Sequence, residues 1–129
     1  MTVTSKLIAV VDDDASARDA LSALVKAFGF VVAAFSSGAA FLASPELRRT
    51  ACLIADMHMP QMSGLELALA LAGAGRPLPT ILVTAYPNAA TERRAAQAGI
   101  SAFLTKPIDP DLLLASIRAA LAKAGGPFP

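Results

Sequence analysis

Residues 7–14, Leu-Ile-Ala-Val-Val-Asp-Asp-Asp, place three consecutive aspartates directly after a run of apolar residues. The run is short, contains β-branched side chains and lacks the polar–apolar alternation of a half-exposed strand. This pattern is typical of a parallel strand that is covered on both faces. It predicts an α/β protein with acidic side chains at the carboxyl end of its first strand.

Three further segments repeat this arrangement of an apolar run followed by a polar side chain: residues 53–55 before Asp56, residues 81–83 before Thr84, and residues 102–105 before Lys106. The carboxyl ends of parallel strands open at one edge of a sheet, and open α/β sheets bind ligands at that edge. We therefore expect these side chains to meet. Carboxylates, a hydroxyl and an ammonium group in one place suit a divalent cation together with a phosphoryl group.

Length and composition narrow the class of protein. The 129 residues are enough for one domain, and 55% of them are apolar. Eleven basic against ten acidic residues give a net charge of +1, so there is no electrostatic footprint for nucleic acid or an anionic membrane. The start of the chain lacks a signal peptide, no apolar run reaches about 18 residues, and the single Cys52 cannot form an internal disulfide. We expect a soluble, cytoplasmic protein.

Hydrophobic periodicity and turn residues predict five strands alternating with five helices. The strands are expected at residues 7–11, 30–35, 52–55, 80–83 and 101–105, and the helices at 15–28, after Ser37 up to Pro45, after Ser63, at 89–98, and after Asp109. Right-handed crossovers then give a doubly wound α/β sheet. We assign residues 6–124 to one domain, residues 1–5 to an N-terminal extension, and residues 125–129 to a tail or the start of a linker.

The three adjacent aspartates need separate explanations because like charges repel. Asp14 is expected to cap the following helix. Asp12 and Asp13 lie nearer the strand end, and the alternating direction of side chains suggests that one of them points toward Asp56. Magnesium prefers a few carboxylate oxygens, some carbonyls and several waters. Asp12, Asp13 and Asp56 offer such a set of ligands.

Four stretches in combination resemble the receiver domains of two-component response regulators, of the CheY-like superfamily: VVDDD (10–14), LIADMHMPQMSGLEL (53–67), ILVTA (81–85) and FLTKP (103–107). The similarity covers residues 6 to about 122. The stretch SSGAAFLAS (36–44) is similar to that of FixJ-type regulators. The resemblance implies a CheY-like single domain with a parallel sheet of strand order 2-1-3-4-5.

The resemblance also implies a function. Asp56 matches the aspartate that accepts a phosphoryl group from a sensor histidine kinase, a phosphotransfer protein or a small acyl phosphate. Lys106 would pair with this carboxylate before the reaction and with a phosphoryl oxygen after it, and Thr84 would donate its hydroxyl to another oxygen. Such a domain is a signalling phosphoacceptor that phosphorylates and slowly dephosphorylates itself, and its changed conformation controls a partner or output domain.

A metal site follows from the same resemblance. Asp13 matches the direct ligand of Mg²⁺ or Mn²⁺, and Asp12 matches the residue that usually acts through water. Asp56 and the backbone carbonyl of His58 would complete the protein ligands. For the His58 side chain we favour a solvent-facing position over metal binding.

Three residues near the acceptor are left with open roles. His58 and Tyr86 are expected to modulate the lifetime of the phosphorylated form, although Tyr86 could simply cover its loop. Phe103 matches the family's aromatic switch, which would act with Thr84, and a plain core aromatic fits it equally well. Phosphorylation would favour a homodimer or a partner contact through the face formed by residues 89–122. A stand-alone regulator and a receiver domain of a longer transcription factor both remain open.

Two other functions fit the pattern less well. A phosphatase of the haloacid-dehalogenase class needs a second aspartate two residues after its nucleophile, and here that position is His58. A flavodoxin-like electron carrier must hold a phosphate in its first loop, where three aspartates would repel it.

Overall fold

The computed structural model describes residues 6–124, which form a parallel sheet with helices on both faces. The strands are β1 (Leu7–Val11), β2 (Val31–Phe35), β3 (Thr50–Asp56), β4 (Thr80–Thr84) and β5 (Ala102–Thr105). The helices are α1 (Ala15–Ala27), α2 (Gly38–Leu42), α3 (Gly64–Gly73), α4 (Ala89–Gln97) and α5 (Pro110–Ala124). The strand order is β2-β1-β3-β4-β5, as predicted. The expected extension at 1–5 and the expected tail at 125–129 lie outside the described residues.

The sheet divides the core into two layers because successive side chains of a strand point to opposite faces. In β1, Ile8 and Val10 belong to the layer under α1 and α5, whereas Ala9 and Val11 belong to the layer under α2, α3 and α4. Both faces of the central strands are therefore apolar. This explains the unbroken apolar runs that mark the strands in the sequence.

The strand register gathers the carboxyl ends of the strands. Val11 at the end of β1 lies beside Ala55 of β3, and Asp56 lies beside Val83 of β4. Thr84 in turn lies beside Thr105 at the end of β5. The polar residues at or directly after these positions consequently share one edge of the sheet.

Some element boundaries differ from those expected. β3 is longer than predicted and includes Asp56, and β4 includes Thr84, so both polar side chains belong to paired strands and do not follow them. Pro45 does not only end α2. It opens a short 3₁₀ helix, Pro45–Arg49, which sequence analysis missed. Proline suits this position because its fixed φ is helical and the first turn of a helix needs no amide donor.

Cys52 lies on β3 and is fully buried. Burial raises the pKa of its thiol to about 12, because the charged thiolate would lose its hydration. Within residues 6–124, no helix has both the length and the apolar character that crossing a bilayer requires.

Candidate functional site

Lys106 joins two carboxylates at the edge of the sheet. Its Nζ atom lies 2.7 Å from Oδ2 of Asp56 and 3.3 Å from Oδ2 of Asp12. Asp56 ends β3 and Asp12 follows β1, so the lysine contacts the ends of two neighbouring strands from the loop after β5. Three of the predicted site residues thus form one ionic group.

Both carboxylates are buried and are also held by backbone amides. Asp12 is 1% exposed and Asp56 is 7% exposed. The N–H of Asp14 donates to Oδ1 of Asp12 at 2.9 Å, and the N–H of His58 donates to Oδ1 of Asp56 at 2.7 Å. Each carboxylate therefore has one oxygen on an amide and the other on the ammonium group of Lys106.

The surroundings shift two pKa values. Burial is the main cause that raises the pKa of Asp12, and the nearby charge of Asp56 adds to it, while the Asp14 amide and Lys106 act in the opposite direction. For Lys106, burial lowers the pKa, but the hydrogen bond to Asp56 and the charges of Asp56 and Asp12 outweigh burial and raise it. Lys106 therefore holds its proton more tightly than a free lysine does.

Asp13 and Asp14 do not join the ionic group. Asp14 caps α1 as expected, because its Oδ2 accepts the N–H of Ala17 at 3.3 Å. Asp13 is exposed. In the part of the chain from 6 to 124, no group of three or more acidic, histidine or cysteine side chains is close enough to hold a metal ion. Two of the three expected carboxylates meet around Lys106, while the third remains in solvent, where its charge is hydrated.

The donor chemistry nevertheless fits a hard divalent cation. Carboxylate oxygens lie at one edge of the sheet, at or next to the ends of β1 and β3, and belong to Asp12, Asp13 and Asp56. His58 can add a backbone carbonyl. Magnesium takes oxygen ligands of these kinds and keeps several waters.

Thr84 is fully buried at the end of β4. Its Oγ1 accepts a hydrogen bond from the N–H of Tyr86 at 3.0 Å. Tyr86 itself is 73% exposed, and its ring meets the exposed His58 ring edge to face with centroids 5.6 Å apart. The aromatic pair links the loops that follow Asp56 and Thr84.

Phe103 on β5 is half-buried and packs against the core layer under α2, α3 and α4. It also lines a cavity of about 320 Å³ together with Glu92, Ala95 and Ile100. Phe103 thus contacts the core and also borders open space.

An apolar groove of about 250 Å³ opens beside the ionic group. It lies between α1 and the loop after β5, and Asp12 and Lys106 belong to its lining. The apolar lining residues are Ala17, Ala20, Leu21, Leu24, Pro107 and Ile108. The Lys106–Pro107 peptide bond in this loop is cis.

Two residues near the site were not among those predicted. A Cβ atom on Gly64 would lie 2.6 Å from the carbonyl oxygen of Asp56, so glycine allows α3 to begin directly against β3. The capping box of Ser63 and Glu66 gave a signal for this helix start but not for the close approach. Arg18, whose Nη1 donates to the carbonyl of Asp12 at 2.8 Å, had no signal in the sequence.

Comparison with known proteins identifies the family. The family model described as "Response regulator receiver domain" matches residues 8–118. The response regulator protein TmoT of Ectopseudomonas mendocina is 39% identical over 124 residues, which are 96% of this chain and 56% of TmoT. The transcriptional regulatory protein FixJ of Azorhizobium caulinodans is 33% identical over 115 residues, 89% of this chain and 54% of FixJ. The chain spans about half the length of these curated relatives.

The crystal structure of FixJ-N has the same fold. It superposes with a TM-score of 0.83 at 30% identity, covering 94% of this chain and 95% of FixJ-N. The likeness to FixJ-type regulators that the sequence suggested is thus found in both comparisons. The chain belongs to the response regulator receiver domain family, whose members act as phosphoacceptors in two-component signalling.

Proposed function

We propose that Asp56 is the residue that accepts the phosphoryl group. The observation that carries this proposal is the 2.7 Å contact between Lys106 Nζ and Oδ2 of Asp56, a buried carboxylate at the ligand-binding edge of the sheet. A carboxylate is a weak nucleophile, so positioning and charge neutralisation make up most of what the protein contributes.

In the proposed transfer, an oxygen of Asp56 attacks the phosphorus of a phosphohistidine. The new P–O bond forms while the P–N bond breaks, and the departing imidazole keeps the electron pair of that bond. Lys106 carries a positive charge and lies 2.7 Å from Asp56, so its ammonium group neutralises the negative charge that develops on the phosphoryl oxygens. The Thr84 oxygen already accepts the Tyr86 amide, so the Thr84 hydroxyl proton is suited to a phosphoryl oxygen.

Asp12, Asp13, Asp56 and the His58 carbonyl would hold Mg²⁺, or Mn²⁺ in its place. The bound cation would neutralise negative charge on the transferring group. The raised pKa of Asp12, due first to burial and then to the charge of Asp56, agrees with a site where unbalanced negative charge is costly.

The proposed donor is a sensor histidine kinase or a phosphotransfer protein in the cytoplasm, and small acyl phosphates would serve as well. The groove between α1 and the loop after β5 offers such a protein an apolar surface next to Lys106. The phosphorylated form would lose its phosphoryl group slowly to water, and His58 and Tyr86 would set that rate by covering the site. The aligned residues make up 56% of TmoT and 54% of FixJ, which supports the proposal that such a domain controls an output domain.

The test is incubation with magnesium and acetyl phosphate, followed by measurement of the intact mass. We expect one added phosphoryl group on the wild type and on Glu46→Gln, a control that removes a carboxylate from the 3₁₀ helix. We expect none on Asp56→Asn. A phosphoryl group that is still gained by Asp56→Asn would overturn the assignment.

A further inference from the structure

All four polar groups of Asp12 have partners. Its N–H donates to the carbonyl of Phe35 at 3.1 Å. Its Oδ1 accepts the Asp14 amide at 2.9 Å, and its Oδ2 accepts Lys106 at 3.3 Å. The fourth group, the backbone carbonyl, accepts a hydrogen bond from Nη1 of Arg18 at 2.8 Å. The sequence analysis gave Arg18 no role.

Arg18 is well placed to hold this carbonyl. It lies in the first turns of α1, its side chain is half-buried, and its own N–H donates to the carbonyl of Asp14 at 2.9 Å. The Arg18 side chain therefore connects α1 back to the strand end across the acidic segment 12–14. A charged donor on a carbonyl makes a stronger hydrogen bond than a neutral donor.

The carbonyl of Asp12 belongs to the peptide group that joins Asp12 to Asp13. A peptide group is planar, so a donor that fixes the direction of its oxygen also fixes the direction of the following N–H and the place of the next Cα atom. Asp13 is exposed, and its side chain takes no part in the ionic group around Lys106. A donor that holds the Asp12–Asp13 peptide group therefore also fixes the position from which the Asp13 side chain extends.

We propose that Arg18 is a positioning residue for the binding of the divalent cation. The Arg18 side chain holds the Asp12–Asp13 peptide group and thereby places the Asp13 carboxylate at the opening of the site. The inference rests on the proposed function, in which Asp13 is a metal ligand. Residues that orient a ligand contribute to metal affinity without touching the metal.

Charge and positioning predict opposite effects when Arg18 is replaced. If Arg18 acted only through its positive charge, its removal would strengthen the binding of a cation, because like charges repel. If it acts by orienting the peptide group, its removal weakens binding.

The test is calorimetric titration of the folded protein with Mg²⁺. For Arg18→Met, which keeps good helix propensity, we expect the dissociation constant to rise about tenfold. Lys26→Met removes a positive charge from the exposed last turn of the same helix, and its affinity for Mg²⁺ should equal that of the wild type. Equal or tighter binding by Arg18→Met would overturn the inference.

Two further measurements separate this inference from the metal site itself. Without metal, the amides of Asp13 and Asp14 should exchange faster in Arg18→Met than in the wild type, and unchanged exchange overturns the inference. Arg18→Lys keeps the positive charge but lacks the planar guanidinium that holds the Asp12 carbonyl, so it should also bind Mg²⁺ more weakly than the wild type, and equal or tighter binding would overturn the inference. If the wild type itself binds no Mg²⁺, the proposed metal site fails, and the inference fails with it.

Discussion

Lys106 contacts two carboxylates that lie 94 and 50 residues earlier in the chain. Its side chain is 26% exposed, while the carboxylates of Asp12 and Asp56 are almost fully enclosed. Removing the lysine would leave two like charges buried without a counter-charge. Loss of the Lys106 ammonium group should lower the free energy of unfolding by about 2 kcal/mol. This is less than for a fully buried ion pair because water reaches the lysine.

The raised pKa of Lys106 predicts a specific dependence of stability on pH. The folded state binds this proton more tightly than the unfolded state, since the hydrogen bond to Asp56 and the two negative charges outweigh burial. The stability gained is fully present below the unfolded lysine pKa of about 10.4 and is lost as the pH rises through the higher folded value. The difference in melting temperature between wild type and Lys106→Met should therefore shrink from pH 8 to pH 11.5.

Differential scanning fluorimetry of both proteins across this range checks the prediction. Lys26→Met serves as the matched control, because Lys26 is exposed and its removal should give a small difference at every pH. A difference for Lys106→Met that stays constant up to pH 11.5 would mean that the ion pair does not stabilise the fold.

Replacement of Asp13 should weaken metal binding without lowering the stability of the metal-free fold. Its side chain is exposed and lies outside the ionic group, so apo Asp13→Asn should melt no lower than the wild type. Magnesium binds the folded state and should raise the melting temperature of the wild type alone. Thermal melts with and without magnesium measure both effects. Equal magnesium-induced shifts in the two proteins would exclude Asp13 as a ligand.

Among the helices, the first residue of α3 has the strictest steric requirement near the site. A Cβ atom on Gly64 would lie 2.6 Å from the Asp56 carbonyl oxygen and 2.8 Å from a methyl group of Leu82. The Asp56 backbone is part of β3 and cannot yield without moving the Asp56 carboxylate, the proposed phosphoacceptor. We expect Gly64→Ala to lower the free energy of unfolding by about 1–3 kcal/mol and to slow phosphorylation by acetyl phosphate.

Gly73 at the other end of α3 provides a matched control. A Cβ atom there would meet nothing within 4 Å, and its φ is not positive. Gly73→Ala should raise the free energy of unfolding by about 0.4–1 kcal/mol because it restricts the unfolded chain. Urea titration compares the two variants. Similar stabilities for both would show that α3 shifts easily away from β3.

The elements were predictable where a short stretch of sequence carries its own signal. The central strands appear in the sequence as apolar runs because both of their faces are covered, and the capping box of Ser63 and Glu66 marks the start of α3. The 3₁₀ helix was missed because Pro45 also has a simple reading as a helix stop. The extension of β3 to Asp56 depends on pairing with Val83 of β4, which no local pattern encodes.

The meeting of three residues at the sheet edge was predictable from the sequence, but not all of the contacts around them. Strand ends place Asp12, Asp56 and Lys106 at one edge, and these residues do meet. Whether Asp13 points inward or toward solvent depends on the turn after β1, and the reach of Arg18 depends on the rotamer of a long side chain. Neither the direction of the Asp13 side chain nor the rotamer of Arg18 follows from a repeating pattern in the sequence.

Considered as a whole, the molecule has a weakly packed face that could carry a signal. α4, which lies entirely within the described residues, buries Ala95 alone, and the cavity beside Phe103 borders it. A phosphoryl group adds roughly two negative charges near neutral pH, and these charges should draw Thr84 toward the group and free space for Phe103. Phosphorylation should then shift a two-state equilibrium and favour association through the face formed by residues 89–122.

Amide exchange and sedimentation with beryllofluoride, a stable mimic of the phosphoryl group, test this switch. Exchange should change in residues 84–106, and the sedimentation coefficient should rise as copies associate. Phe103→Leu should still take up the reagent but show a smaller change, and Asp56→Asn should show none. Unchanged exchange in 84–106 at full modification would contradict the switch even if Asp56 is the acceptor.

The buried thiol of β3 has a practical consequence for labelling experiments. Burial raises the pKa of the Cys52 thiol to about 12, so the thiol stays protonated at pH 7, and none of it is exposed in the native fold. A thiol reagent can therefore reach Cys52 only after the central strand β3 opens. The rate of Cys52 modification then measures the rate at which the sheet opens. A cysteine introduced on the surface could carry a fluorophore while the native thiol stays in place and unlabelled.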